Sequence, residues 1–333
     1  MSISWQVLGD PGRDNALLAR VDSGQGIERL LFDCGEGCLA ALTRAEILAI
    51  NHLFFSHLHM DHIGGFDSLF RQTYNRLSPP NRIWGPPETA RILHHRFRGF
   101  LYNLHHRQTA TWRVTDIFPE YQKTARFELS EAFEVLHEEE TSTGGSLLVD
   151  TPRYSVEAFA LDHNTPSLGY LLREKPRVNV DSDKMQAMGL PPGPWVRALK
   201  EPPPGQTQLQ IEGQRYALQA LREALLTQTP GDSLAYLTDF RMDEETRQFL
   251  AERLKGCQTV VCESQYRHAD RELAMRNYHL TATDAAQLAR AGEFGALILF
   301  HLSDRYTRQD WQEMLREAQA IFPNTRFPQH WSL

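Results

Sequence analysis

Three histidines and one aspartate crowd into the six residues His57-Leu58-His59-Met60-Asp61-His62, after the apolar run Leu53 to Phe55 and before Ile63-Gly64-Gly65. In an extended chain, side chains two apart share a face, so His57 and His59 can reach one point together. Asp61 and His62 follow where the chain must turn, and adjacent turn residues can aim at a second point nearby. Gly64 and Gly65 let backbone pass close by without a Cβ in the way. Imidazole nitrogen and carboxylate oxygen are ligands that zinc takes, and a mixed set with few thiolates suits a hydrolytic metal. The competing reading is a histidine-rich surface loop that binds metal adventitiously. The density of donors and the glycines behind them favour a metal site, built for two metals.

The elements that must position these groups repeat one pattern. Leu30-Leu31-Phe32 reads as a buried strand and Asp33 follows it. Ser155 to Leu161 alternates like a half-buried strand and leads into Asp162-His163. Leu234 to Thr238 ends in Asp239, Thr259 to Cys262 in Glu263, and Ala296 to Phe300 in His301. In α/β sheets, sites form at the carboxyl ends of strands, so these groups can converge along one rim. A lone histidine at a strand end is usually structural, but His163 supplies the third nitrogen that the first metal needs. Asp33 either orients a ligand from behind or is a plain turn-forming aspartate. His279 stands just before a helix start, marked by the capping pair Thr281 and Asp284. The positive end of a helix disfavours imidazolium, so a general acid there needs an acidic neighbour, and Glu263 is the candidate.

The rest of the chain sets bounds. With 333 residues and 41% hydrophobic content it can bury a substantial core, as one long α/β domain or two. A net charge of −7 gives no overall positive field for nucleic acid, so a polyanion would need a local basic patch. Arg91 to Thr115 lacks acidic residues and mixes Arg91, Arg96, Arg98, Arg107 and Arg113 with Phe97, Phe100, Tyr102 and Trp112. That suits RNA contacts, or equally a solvated helix face whose apolar members pack inward. Glu138-Glu139-Glu140 reads as a solvated charge run. Phe66 to Leu77 has helical spacing, and Arg82-Ile83-Trp84 reads as a short strand. The start, Met1 to Gly9, shows no basic n-region or apolar h-region, and no apolar run is long enough for a membrane span. Four cysteines are too sparse for a disulfide framework, and Cys34 and Cys38 read as packed thiols. Cytoplasm is the expected compartment. From Arg173 to about Gly231 the composition turns polar, and Pro191-Pro192-Gly193-Pro194 and Pro202-Pro203-Pro204-Gly205 bracket Trp195 to Glu201. Such proline density marks an insertion with stiff, extended pieces, although Tyr216 to Leu226 has helical periodicity.

His57-x-His59-x-Asp61-His62 resembles the signature of the metallo-β-lactamase fold, a four-layer αβ/βα sandwich of binuclear metallohydrolases. Further motifs resemble ribonuclease Z, the tRNA 3′-processing endonuclease family. They are Phe32-Asp33-Cys34-Gly35-Glu36, His163 with Gly169-Tyr170, Gly189-Leu190-Pro191-Pro192-Gly193-Pro194, Asp239-Phe240-Arg241, the Glu263 segment, His279-x-Thr281 and His301-Leu302-Ser303-Asp304-Arg305-Tyr306. The likeness runs from about Trp5 to the C-terminus and is weakest between Asn75 and Pro152. It implies a single α/β hydrolase domain over residues 1–333 with an inserted arm at 173–231 that grips tRNA. It also implies two zinc ions, or manganese or another divalent metal in their place. His57, His59 and His163 would take one metal and Asp61, His62 and His301 the other, with Asp239 bridging. Glu263 and His279 would match the proton-donating pair. Asp61 would also accept the proton of the attacking water. A homodimer is expected, with precursor tRNA as substrate and no membrane partner.

The chain departs from the family where His-Glu-Ala-Thr is usual and Cys262-Glu263-Ser264-Gln265 stands instead. It departs again at Leu280, between His279 and Thr281, and at Thr238 and Phe240, on either side of Asp239. These changes leave the ligands and the acid intact and put the substrate in question. Two other readings therefore stay open: a phosphodiesterase for cyclic nucleotides or other small substrates, and a non-catalytic RNA-binding scaffold. The last would predict missing ligands, and none is missing. The arm separates the first two. Replacing residues 176–228 with a short Gly/Ser linker should spare turnover of a small phosphodiester while greatly weakening precursor-tRNA cleavage and its dependence on salt. Equal loss on both substrates, with metal still bound, would show that this segment shapes the active site.

Overall fold

The computed structural model describes every residue except Met1, Ser2, Ser23, Gln25, Glu140 and Gly144. The first two residues of the N-terminal stretch and the last of the Glu138–Glu140 run therefore lie outside the described residues. In chain order the first strands are β1 (Ile3–Leu8), β2 (Ala16–Asp22), β3 (Ile27–Phe32), β4 (Ile50–Phe54), β5 (Asn81–Gly85), β6 (Thr111–Ile117), β7 (Gln122–Glu128) and β8 (His137–Glu138). They form one sheet in sequential order. β3 to β6 run parallel, in the register Leu31, Leu53, Ile83, Val114, so their C-terminal ends emerge along one edge.

Next come β9 (Leu147–Asp150), β10 (Tyr154–Asp162) and β11 (Pro166–Glu174). After them lie the short β12 (Arg177–Val180), β13 (Gln208–Ile211), β14 (Gln214–Ala217) and β15 (Leu226–Thr229). The last strands are β16 (Ser233–Leu237), β17 (Thr259–Glu263), β18 (Ala296–Phe300) and β19 (Thr325–Arg326). The second sheet has the order β19-β18-β17-β16-β11-β10-β9. β16 to β18 are parallel, with Leu237, Cys262 and Leu299 abreast. β11 runs antiparallel to β16, so the start of β11 and the end of β10 lie at the same edge as the ends of β16 to β18.

Strand alternation explains the layering. Leu31, Leu53, Phe55, Ile83 and Val114 pack outward beneath the helices Phe66–Thr73 and Thr89–Phe97. Leu30, Phe32 and Phe54 face the second sheet instead. There Phe32 meets Tyr170 and Tyr236 at ring-centre distances of 5.5 and 5.8 Å, and Phe54 meets Tyr170 at 5.4 Å. The second sheet is backed by helices Glu244–Arg253, Ala282–Ala291 and Arg308–Ile321, which bury Leu250, Leu288 and Met314. Helix, sheet, sheet, helix is the four-layer αβ/βα sandwich. The helix at Phe66 stops at Thr73, short of Leu77, because Arg76 turns back to donate to the carbonyls of Leu48 and Ile50 at 2.9 and 2.8 Å. In the acid-free stretch, helix Thr89–Phe97 buries Ala90, Leu93 and Phe97. Arg96 pairs with Asp67 and Arg113 with Glu139. Cys34 and Cys38 are free, buried thiols.

Residues Glu174–Asp232 form a separate compact unit. β12 pairs with β15 and β13 with β14. The unit has its own small core of Leu190, Trp195, Leu199, Leu209, Ile211, Leu218, Leu221 and Leu225. Trp195 opens a helix to Lys200 and donates its indole N–H to the Pro191 carbonyl at 2.9 Å. The helical periodicity near Tyr216 becomes helix Leu218–Leu225, with Tyr216 itself in β14. Among the described residues no helix is long and apolar enough to cross a membrane.

Two tyrosines carry hydroxyls across the apolar layer between the sheets. Tyr170 donates to the Phe55 carbonyl at 2.6 Å, next to the histidine motif. Tyr170→Phe removes that bond without opening a large cavity. It should lower stability by about 1–2 kcal/mol in denaturant titration, leaving the fold unchanged by circular dichroism.

Candidate metal centre

The C-terminal rims of both sheets bring His57, His59, Asp61, His62, His163, Asp239, Glu263, His279 and His301 together. The local backbone is shaped for it. Asp33, Asp239 and His301, each just past a strand, have φ of 58°, 50° and 54°. A non-glycine residue in this left-handed region is uncommon, and such residues cluster at functional sites. The histidine motif leaves β4 and enters a short helix, Met60–Ile63, with His59 at its N-cap. It is clasped to the turn after β3: Cys34 N–H donates to the His62 carbonyl and Gly65 N–H to the Cys34 carbonyl, both at 2.8 Å. A Cβ on Gly65 would come within 2.2 Å of the Gly35 carbonyl oxygen, so only glycine allows this clasp.

Each buried imidazole is held by one nitrogen. His62 Nδ1 lies 2.8 Å from Asp33 Oδ2, His163 Nδ1 2.8 Å from the Tyr278 carbonyl, and His57 Nδ1 3.1 Å from Ser56 Oγ. Asp33 also accepts from Ser56 N–H and Oγ–H, both at 2.7 Å, and from the Tyr236 hydroxyl at 2.9 Å. Asp33 thus orients a motif histidine from behind, the first of the two roles its sequence position allows.

The other nitrogens converge. Asp239 Oδ2 lies 3.6, 3.4 and 3.7 Å from Nε2 of His57, His62 and His163, while Thr238 Oγ donates to Asp239 Oδ1 at 2.6 Å. His301 Nε2 sits 3.4 Å from Asp61 Oδ2. The donor atoms of His57, His59 and His163 all lie within 4.8 Å of one another, as do those of Asp61, His62, Asp239 and His301. Nε2 of His57 and of His62 is buried with no hydrogen-bond partner among the described residues. Unpartnered imidazole nitrogens facing carboxylates in a buried pocket fit divalent cations.

Charge follows the same geometry. Burial works against the Asp239 carboxylate, yet His301 and His62 outweigh it and hold its pKa well below the usual range. Burial, then the neighbouring His62, keeps the His57 imidazole neutral by lowering its pKa well below normal. At His279 burial is outweighed by Glu263, which pushes the pKa up to about 9. The His279 ring donates from Nδ1 to Glu263 Oε2 at 2.9 Å, and Glu263 Oε1 accepts the Phe240 N–H at 2.9 Å. His279 precedes helix Ala282–Ala291, which has Thr281 as N-cap in a reciprocal capping box with Asp284. Glu263, His279, Asp239 and His301 also group closely enough to share an ion.

Sequence reasoning passes over Ser56, Tyr236 and the Tyr278 carbonyl, whereas Gln265, one of the departures from the family pattern, brings its amide 3.3 Å from His301 Nδ1. Ser56 is visible beside the motif and could have been found as its hydroxyl neighbour. Tyr236 needs the packing of one sheet on the other, which no local pattern carries.

A family model described as anti-Pycsar protein Apyc1 matches residues 13–171. Among solved structures, the metallo-β-lactamase fold protein YhfI from Bacillus subtilis aligns with 98% of this chain and 96% of its own at TM-score 0.57 and 12% identity. Human tRNase Z, short form, aligns over 91% and 93% at TM-score 0.51 and 17% identity. The fold is therefore the metallo-β-lactamase fold, and the rim described above lies where its strand ends meet. Ribonuclease Z of Deinococcus radiodurans is 48% identical over 329 residues, 99% of this chain and 98% of that one. The chain belongs to the ribonuclease Z family and is a metal-dependent hydrolase that binds divalent metal.

The hub role of Asp33 is testable. Asp33→Asn keeps the volume but replaces one oxygen that accepts from several donors. Thermal unfolding should show a loss of about 1–3 kcal/mol. Competition with a chromogenic chelator should show metal held about 10- to 100-fold more weakly. Unchanged metal affinity would mean that His62 does not depend on Asp33.

Proposed function

We propose that the protein is a cytoplasmic endoribonuclease that removes the 3′ trailer from precursor tRNA, using two zinc ions at this centre. The observation that carries this reading is 48% identity over 99% of the chain to a ribonuclease Z, with the donor set intact at the rim. His57, His59 and His163 would hold one ion, and Asp61, His62 and His301 the other, with the Asp239 carboxylate available to either group. Ions held there supply Lewis acidity toward phosphoryl oxygens and lower the pKa of water.

The side chains do the rest. The Asp61 side chain is 43% exposed at the rim, with Oδ2 3.3 and 3.4 Å from the His62 and His301 rings, a position from which its carboxylate would accept a proton from the attacking water. His279, kept protonated by Glu263, delivers a proton to the leaving ribose oxygen. Phe240 N–H and the His279 ring fix both oxygens of Glu263, so the donor keeps its aim. Residues 174–232 supply the tRNA-gripping surface. Self-association into a homodimer is supported by a groove of about 540 Å³ beside helix Phe66–Thr73, flanked by exposed Phe100, Leu101 and Leu104. A small-substrate phosphodiesterase is the second reading, kept open by the net charge of −7 and by the departures from the family pattern at Cys262, Gln265 and Leu280.

Four measurements check this. Protein never exposed to chelator should contain close to two zinc ions per chain by elemental analysis. Offered precursor tRNA with a 3′ trailer beside a small chromogenic phosphodiester, it should cut the tRNA once, at the trailer boundary. Turnover of the small ester alone would transfer the assignment to the second reading. His279→Ala should keep the metal and lose about 10²–10⁴-fold in cleavage; loss of a metal ion would make His279 a ligand instead. Light scattering should give twice the chain mass, falling to the chain mass in Leu101→Glu.

A further inference from the structure

At the edge where β9 closes the second sheet, that strand meets the inner face of β5 to β7 across a cleft of about 460 Å³. The volume is that of an ordinary ligand pocket. One wall carries Arg82, Trp84, Arg113, Thr115 and Thr124, and the other runs from Leu148 to Thr151. Strand geometry sets the cleft apart from the metal centre. Thr151 bonds to the Tyr154 carbonyl at the start of β10, and His163 follows nine residues later, about 30 Å along the strand.

The register of the first sheet concentrates positive charge in this wall. His52, Arg82, Arg113, Arg126 and His137 stand abreast across β4 to β8, on the face that Leu30 turns toward the second sheet. Cross-strand neighbours hold their Cβ atoms about 5 Å apart, and like charges so placed repel. Two carboxylates answer the three arginines. Glu139 accepts from Arg113 Nε at 3.0 Å and lies 3.3 Å from Arg126 Nε, while Glu128 pairs with Arg126. Arg82 is exposed, and its guanidinium has no hydrogen bond or ion pair among the described residues. Arg113 commits only its Nε, and its side chain is 47% exposed. Burial, and then the field of Arg82, bring the His52 pKa down to about 3, so that ring stays neutral. The Thr115 and Thr124 hydroxyls bond to each other at 2.9 Å, which employs one of their hydrogens and leaves the other to donate. Asp150 stands exposed at the lip. Guanidinium donors side by side on neighbouring strands match the oxygens of a phosphate. An apolar ligand would leave them unanswered.

We propose that this cleft is an anion site, remote from the metal centre, that takes a phosphate group between Arg82 and Arg113. The phosphate is carried by a free phosphorylated molecule or by an RNA chain, and the chemistry of capture is the same for both. The site needs neither the metal ions nor the substrate assigned above. It supplies the local basic patch that a chain of net charge −7 requires to hold a phosphate.

Trp84 reports on the cleft, because its indole N–H donates to His52 Nδ1 at 3.0 Å within this wall. Its nuclear magnetic resonance signal is assigned by its loss in Trp84→Phe. In the zinc-loaded protein at low ionic strength, inorganic phosphate should move that signal saturably, and chloride at equal ionic strength should not. Arg82→Gln should weaken the phosphate response about tenfold, and Arg82→Lys should restore part of it. Without phosphate, Arg82→Gln should melt no lower than the unaltered protein, since it removes a like charge from the row. No movement with phosphate, equal movement with chloride, or a response untouched by Arg82→Gln would each overturn the proposal. A single-stranded oligoribonucleotide separates the two sources. Movement of the same signal with the same dependence on Arg82 assigns the phosphate to RNA. A response to inorganic phosphate alone assigns it to a small phosphorylated molecule.

Discussion

The Asp239 carboxylate sits buried where three imidazole Nε2 atoms approach one of its oxygens, at 3.4 to 3.7 Å. Those distances are too long for good hydrogen bonds, yet the groups are held there with little water to screen them. Burying a carboxylate costs on the order of several kcal/mol unless it is well paired, and none of these three contacts is a good hydrogen bond. The arrangement is therefore costly as a protein interaction alone and favourable around cations. Much of the surrounding structure keeps these groups from relaxing apart. Thr238 pins one oxygen of Asp239, while Asp33, Ser56 and the Tyr278 carbonyl pin the rings.

That pinning reaches into the core. Asp33 is fully buried and bonds to Tyr236, which stands on the opposite sheet among Phe32 and Phe300. Through this contact the apolar packing that joins the sheets also sets the orientation of His62. The left-handed backbone at Asp33, Asp239 and His301 is the counterpart on the main chain. Each of these residues accepts an unfavourable conformation so that its side chain turns inward from the strand end, and the strands beside it supply the stability that holds it.

The strand-end pattern was readable because it is local: an apolar run followed by one polar residue needs no tertiary knowledge. His163, Asp239, Glu263 and His301 all follow such runs, and parallel pairing of β16 to β18 is enough to bring the last three abreast. The Thr281 and Asp284 capping pair was equally local. What could not be read depends on how one sheet lies on the other. Tyr236 looks like any core aromatic until its hydroxyl is found beside Asp33. The end of the helix at Thr73 was missed because Arg76 is satisfied by carbonyls far away in sequence. The segment after Arg173 was read by its prolines, which mark its turns well, whereas its leucines and Trp195 are too scattered to announce a core of their own.

The donors at the rim come from widely separated parts of the chain. His57, His59 and His163 are all present once the first half has been synthesised, whereas the second group waits for Asp239 and finally His301. A nascent chain on the ribosome therefore owns a complete three-imidazole set long before it owns the carboxylate that neutralises it. An ion captured at that stage would meet β4 and β10 before β16 to β18 exist to back them. The two donor groups are thus completed at different stages of translation, in an order written into the order of the strands.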